Sequence, residues 1–276
     1  MNLTRRNLYA LRLQYVLGRM AIFVTAPFTY LCLKFLGYRI RDIRKIRASA
    51  RKIMDQHRGG WIICANHLTM VDSYIIAWAL MSYGRFAIDH KSMPWNLPER
   101  NNFKKNLFLS ALCYLTKCLP VNRGGDRDDM KRTLSKCSYL LEGGSSLLIF
   151  PEGGRSRSGT IDSENFSYGV GRMVQQSPSA RILCVYLRGI GQNGYSTIPQ
   201  FGEEFLVQVE PFHPDVTERG LKGQREIASR IVNNLARMEK EWFQRSEGLE
   251  KRPTPKWMKL MEMNPFPSVI RKILET

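Results

Sequence analysis

The chain has 276 residues, 43% hydrophobic and 24% charged, an ordinary globular composition that excludes disorder and leaves room for one large domain or two small ones. Its net charge of +18 draws it to something anionic: nucleic acid, an acidic lipid surface, an acidic carrier protein or a phosphorylated substrate. Six cysteines in mostly apolar contexts, with no C-x-x-C pair, suggest neither a zinc site nor a disulfide framework and read as reduced, buried thiols facing the cytosol.

Residues 1–12 are polar and basic, with Arg5, Arg6 and Arg12. Residues 20–33 carry no charge, a run of 14 residues where a bilayer span needs about 20. Arg19 and Lys34 bound that run and Pro27 interrupts it. The pattern predicts a helix, a break near Pro27 and a second helix ending at Gly37. Such a hairpin lies in one leaflet with its Arg and Lys at the headgroups. A buried helical hairpin and a single tilted spanning helix are the alternatives. A cleaved signal peptide fits poorly, because Arg19 sits between the apolar parts and no small-x-small site follows.

Residues 39–58 form a basic run with Ile40, Ile43, Ile46 and Ile53 near helical spacing, an amphipathic helix or interfacial connector. Residues 61–65 read as a short buried strand and residues 72–81 as a helix opened by Asp72. Residues 86–90 read as a second short strand before a Pro- and Asn-containing loop. Residues 107–118 look helical, and residues 119–125 run from strand into a Gly-rich turn that carries Arg123. Residues 126–141 form a helix with three Asp in its first turn.

Residues 146–150 are a strong buried-strand signal that ends in Pro151-Glu152-Gly153-Gly154-Arg155-Ser156-Arg157-Ser158-Gly159. A helix follows over residues 168–176, strands over 181–187 and 205–209, and a long amphipathic helix over 224–245. The Pro-punctuated, basic tail from residue 247 reads as a surface-binding or lid segment or as a docked helix. Strands alternating with helices make an α/β domain with a mixed, largely parallel central sheet flanked by helices. The expected divisions are 1–38 for the membrane-associating hairpin, 39–246 for the α/β domain and 247–276 for the tail.

In open α/β sheets the ends of the strands gather the site. Asn66-His67-x4-Asp72, Arg123 and the turn at residues 152–155 all follow predicted strands. The chain has four histidines, and His67 stands at such a position. With Asp72 fixing its tautomer, His67 is a general base. No G-x-S-x-G elbow supplies a protein nucleophile, so the proton comes from a substrate hydroxyl, which describes direct acyl transfer from a thioester to an alcohol. The glycines at 153 and 154 allow close approach, and Arg155, with Arg123 and Arg157, suits phosphate. Taken singly, a core histidine, turn glycines and surface arginines explain the same residues.

The ordered set of Asn66-His67-x4-Asp72, Val121-Asn122-Arg123, Phe150-Pro151-Glu152-Gly153-Gly154-Arg155-Ser156 and the apolar strand at 182–187 resembles the four blocks of the glycerolipid acyltransferases. These act on 1-acylglycerol-3-phosphate or glycerol-3-phosphate, and the likeness spans about residues 60–190. It implies an acyl-CoA or acyl carrier protein donor, a lysophospholipid acceptor, His67 as base with Asp72 its partner, and Asn66, Arg123, Glu152, Gly153, Gly154 and Arg155 around the acceptor. No cofactor or metal is implied. The N-terminal segment is similar to the two-helix anchor of bacterial lysophosphatidate enzymes. That implies attachment to an anionic membrane surface on the cytoplasmic face, the inner membrane in a bacterium. Gly154 departs from the pattern, since the lysophosphatidate enzymes commonly carry Thr there and the Gly-Gly-Arg-Ser version is closer to the glycerol-3-phosphate enzymes. The chain shows no basic stripe interleaved with base-stacking aromatics, so nucleic acid is not an expected partner. The positive charge is assigned to headgroups and an acidic donor.

Overall fold

The computed structural model describes residues 3–102, 106–122 and 126–252. Among the described residues, six strands form one sheet: β1 (Arg39–Ile40), β2 (Trp61–Ala65), β3 (Trp95–Asn96), β4 (Ser146–Ile149), β5 (Arg181–Gly189) and β6 (Glu204–Phe212). Their order is β1-β6-β5-β2-β4-β3, parallel throughout except for the β5–β6 pair. The helices are α1 (Arg5–Phe35), α2 (Ile43–Met54), α3 (Asp72–Leu80), α4 (Tyr83–Ile88), α5 (Leu107–Leu115), α6 (Arg127–Glu142), α7 (Gly169–Gln176) and α8 (Gly220–Ser246). The α/β class expected from the strand–helix alternation holds.

The continuous apolar runs of the central strands follow from burial on both faces. Alternate residues point to opposite sides. Ile63, Ala65, Leu148, Leu183 and Val185 pack with α1 and α3, whereas Ile62, Cys64, Leu147, Ile149 and Cys184 pack with α6 and α8. β2 and β4 are direct neighbours, paired from Trp61–Ser146 to Cys64–Ile149. Their C-terminal ends therefore lie side by side, and the chain segments leaving them meet.

The N-terminal hairpin is a correction. α1 is one continuous helix with Pro27 inside it. Leu11, Gln14, Gly18, Ile22, Ala26 and Leu33 form a buried stripe that runs past Pro27, which lies on the exposed face. A proline inside a helix costs about 3 kcal/mol. Burying side chains such as Ile22 and Leu33 returns roughly 1.5–3 kcal/mol each, so tertiary packing on both sides of Pro27 outweighs the local break. α1 lies along α4 and α5. Gln14 donates to the carbonyls of Tyr114 and Cys118 at 3.0 and 2.8 Å, and Arg19 donates to that of Ala87. Lys117 closes the same junction: its Nζ donates to His90 and Met93 carbonyls at 2.6 and 2.9 Å beneath the Tyr15 ring.

Residues 86–90 are a second correction. They fall in α4 and a following turn of 3₁₀ helix at His90–Ser92. Ser82 caps α4 by accepting from the Arg85 N–H, and a short apolar run with such a cap is helical. Two edge strands are added: β3, in the segment expected to be loop, and β1, at the start of the basic run expected to be an amphipathic helix or connector. Residues 119–121 form no strand of the described sheet; they run beside the segment after β3, with Leu119 N–H donating to the Asn96 carbonyl and an isolated bridge between Val121 and Glu99. The tail enters its described part through ion pairs, Lys251 with Glu203 at 2.9 Å and Arg252 with Glu204. Residues 253–276 lie outside the described residues.

Candidate active site

His67 leaves the end of β2 and Asp72 opens α3. The turn between them closes on the Asp72 carboxylate. Oδ2 accepts the backbone N–H groups of Leu68 and Thr69, each at 2.7 Å, and Oδ1 accepts the Thr69 hydroxyl. The same Oδ2 stands 3.1 Å from His67 Nδ1. An ionised carboxylate there keeps the proton on Nδ1 and leaves Nε2 as acceptor. No described residue hydrogen-bonds Nε2. The imidazole stacks on Phe150, ring centres 3.9 Å apart and 14° from parallel. Its side chain is 18% exposed against 5% for Asp72, so the imidazole reaches solvent and its carboxylate partner does not.

Adjacency of β2 and β4 brings Glu152 to the same place. Its Oε1 accepts the His67 backbone N–H at 2.8 Å, and the His67 carbonyl accepts from Ser156 N–H at 2.8 Å. Burial pushes the Glu152 pKa up to about 8, opposed by the His67 N–H and reinforced by Glu239 and Asp72. Gly153 adopts a left-handed conformation, φ +71°, and a Cβ there would sit 3.1 Å from the Ser167 Cβ. Gly154 faces open space, with nothing within 4 Å of where its Cβ would be.

Asn66 is 2% exposed. Its amide donates to the Leu187 carbonyl and accepts the Leu187 N–H, at 2.9 and 2.8 Å, extending the β2–β5 ladder by a side-chain rung. Arg155 has no carboxylate partner among the described residues, and its Nη1 is enclosed without an acceptor. Arg157 is exposed. Arg123 lies outside the described residues. A cavity of about 500 Å³ is lined by Phe150 and by other apolar side chains including Leu97, Leu134, Val170 and Met173, with Gly153 and Arg172 also on its wall. A second cavity, about 750 Å³, lies beside Arg181 at the opposite end of the strands.

Sequence reasoning missed several residues that shape this region. Phe150, which falls in the third block of the resemblance, has a role that the sequence does not assign, as the face on which the His67 ring stacks. Arg188 and Glu239 are a buried pair 3.7 Å apart that grips the segment after Arg155. Arg188 Nη1 donates to the Gly159 carbonyl at 2.6 Å, and Glu239 Oε2 accepts from Ile161 N–H at 3.1 Å. A strand-end Arg and a mid-helix Glu far apart in the chain have no local signature. Tyr195, from the β5–β6 connection, lies over Arg155.

The family model described as Acyltransferase matches residues 39–188, more than half of the chain and the whole of this constellation up to Arg188. No curated protein is matched.

Proposed function

The chain belongs to the acyltransferase family, and we propose that it moves a fatty acyl group from an acyl thioester, carried on CoA or acyl carrier protein, to a hydroxyl of a lysophospholipid, foremost 1-acylglycerol-3-phosphate. The observation that carries this reading is His67, oriented at Nδ1 by Asp72, without a described hydrogen-bond partner at Nε2, and stacked on Phe150, a residue that also lines an apolar cavity. In the proposed step the acceptor oxygen attacks the thioester carbonyl while Nε2 takes its proton. A C–O bond forms, the C–S bond breaks, and the imidazolium returns the proton to the departing sulfur. No acyl-enzyme forms.

The cavity lined by Phe150 takes the acyl chain, its volume and apolar walls suiting a hydrocarbon. Arg155, joined by Arg123, binds the acceptor phosphate, a pairing that suits a guanidinium without a carboxylate. Glu152 holds the His67 backbone, and Gly153 and Gly154 admit the acceptor beside it. Asn66 serves this site by fixing the end of β2.

Attachment to an anionic membrane surface on the cytoplasmic face is part of this reading, and α1 supports the membrane contact. It is long and apolar enough to cross a membrane by length and composition. However, its inner stripe is occupied by the α/β domain from Leu11 to Leu33, and a helix so engaged is not surrounded by lipid. Its outer stripe, with Tyr9, Met20, Phe23, Val24 and Leu31 exposed, lies in one leaflet instead.

Glycerol-3-phosphate as acceptor is the second reading, favoured by Gly154 in the Gly153-Gly154-Arg155-Ser156 sequence. A labelled acyl-transfer assay that offers both donors against glycerol-3-phosphate, 1-acylglycerol-3-phosphate and other lysolipids tests the proposal. Transfer to 1-acylglycerol-3-phosphate supports it. Transfer confined to glycerol-3-phosphate replaces the acceptor, and a His67→Ala protein with full biological activity points to a non-catalytic lipid-binding role.

A further inference from the structure

The β5–β6 connection belongs to none of the motifs, yet it touches both halves of the site. Ser196 N–H donates to the Leu68 carbonyl at 3.3 Å, and the Thr197 carbonyl accepts from Met70 N–H at 3.0 Å, which fixes the connection to the His67–Asp72 turn. Gly194 meets the other half, since a Cβ on Gly159 would sit 2.7 Å from its Cα. Between these anchors stands Tyr195, its ring centre 4.8 Å from the Arg155 guanidinium carbon. Gly159 itself is tied down by Arg188.

A long arginine without a carboxylate partner has many rotamers, and few of them aim its donors at a ligand. An aromatic face held beneath it selects among them. Stacking uses the π-face of the guanidinium and leaves the N–H edge in its plane available to an oxyanion. We propose that Tyr195 is a positioning residue for the phosphate of the acceptor: its ring holds the Arg155 guanidinium in place, so that its N–H donors meet the phosphate already oriented. This rests on the proposed role of Arg155 in phosphate binding. The contribution comes from the ring, and the Tyr195 hydroxyl takes no part in it.

Steady-state kinetics of the full chain test this, with 1-acylglycerol-3-phosphate and with monoacylglycerol as acceptors. Tyr195→Ala raises KM for the phosphorylated acceptor about five- to tenfold, with kcat, the KM for the thioester and transfer to monoacylglycerol all within about twofold. Tyr195→Phe stays within about twofold of the parent on every parameter, because the ring remains. Adding Tyr195→Ala to Arg155→Ala makes acceptor KM no worse than Arg155→Ala alone. Tyr195 is 43% exposed, so these substitutions leave the fold intact. If Arg155→Ala raises the acceptor KM and Tyr195→Ala does not, the positioning role is wrong while phosphate binding by Arg155 stands. Equal damage from Tyr195→Phe and Tyr195→Ala overturns the role of the ring. If Arg155→Ala itself leaves acceptor KM unchanged, phosphate binding by Arg155 fails and the role of Tyr195 fails with it.

Discussion

Asp72 Oδ2 receives three donors at once: His67 Nδ1 at 3.1 Å and the backbone N–H groups of Leu68 and Thr69 at 2.7 Å. One carboxylate oxygen thus builds the turn and orients the imidazole. Asp72→Ala removes the acceptor and leaves two buried N–H groups unpaired, at about 1–3 kcal/mol each. Its thermal unfolding temperature falls by several degrees. Asp72→Asn keeps the shape but removes the charge that holds the Nδ1 proton, and kcat falls on the order of 10³-fold. Calorimetry and initial rates on the two variants separate the roles. Equal activity of Asp72→Asn and the parent would show that Asp72 is structural alone.

Glu152 imposes a pH dependence on stability. Its folded pKa of about 8 lies above the ordinary carboxylate value of 4.5, because burial favours the protonated form. Between those values the folded state binds more protons than the unfolded state, so this contribution is present below about pH 4.5 and is lost as pH rises through about 8. Glu152→Gln removes that slope. Relative to the parent, the variant gains stability from pH 5 to pH 9. His90, whose pKa burial lowers to about 4, acts in the opposite sense at acid pH and cancels in the difference. Denaturant midpoints of both proteins at pH 5, 7 and 9 provide the check, and a difference independent of pH contradicts the assignment.

The two glycines of the turn differ in what they tolerate. Gly153→Ala forces a side chain into a left-handed conformation against Ser167, at about 1–2 kcal/mol, and lowers the unfolding temperature by roughly 2–6 °C. Gly154→Ala meets nothing and stays within about 0.5 kcal/mol of the parent. Thermal melts of the pair rank them, and an equal loss at both positions refutes the distinction.

The outer and inner stripes of α1 make separable predictions. Phe23 and Val24 are 64% and 73% exposed. Replacing both with Glu reduces partition onto anionic vesicles at least tenfold, since each apolar side chain contributes on the order of 1.5–3 kcal/mol when buried in lipid. Unfolding temperature stays unchanged. Ile22→Ala does the reverse, costing about 2–5 kcal/mol of stability with vesicle binding retained. Co-sedimentation and melts on both variants decide it; undiminished partition of the double Glu variant removes α1 from the membrane contact.

Much of the sheet was legible because β2, β4 and β5 are covered on both faces and so appear as uninterrupted apolar runs. α6 was legible from the Asp residues of its first turn, and α8 from its amphipathic pattern. His67 and Glu152 were readable as strand-end residues, but their contact depends on β2 and β4 being neighbours, which no spacing encodes. α1 was misread because a local rule at Pro27 yields to a stripe of tertiary contacts. α4 was misread because six apolar-rich residues suit either strand or helix until Ser82 is recognised as a cap. Tyr195 and the Arg188–Glu239 pair were invisible, since each acts through a partner that the fold, not the chain order, supplies.

The central claim is that His67 takes the proton from a substrate hydroxyl. Its most direct test is the initial rate of labelled acyl transfer to 1-acylglycerol-3-phosphate by the parent and by His67→Ala, with acyl-CoA and acyl carrier protein thioesters each supplied as donor. The parent transfers robustly from at least one donor. His67→Ala loses activity on the order of 10³-fold or more, while its unfolding temperature stays close to the parent's. A well-folded His67→Ala protein that retains the parent's rate would contradict this claim.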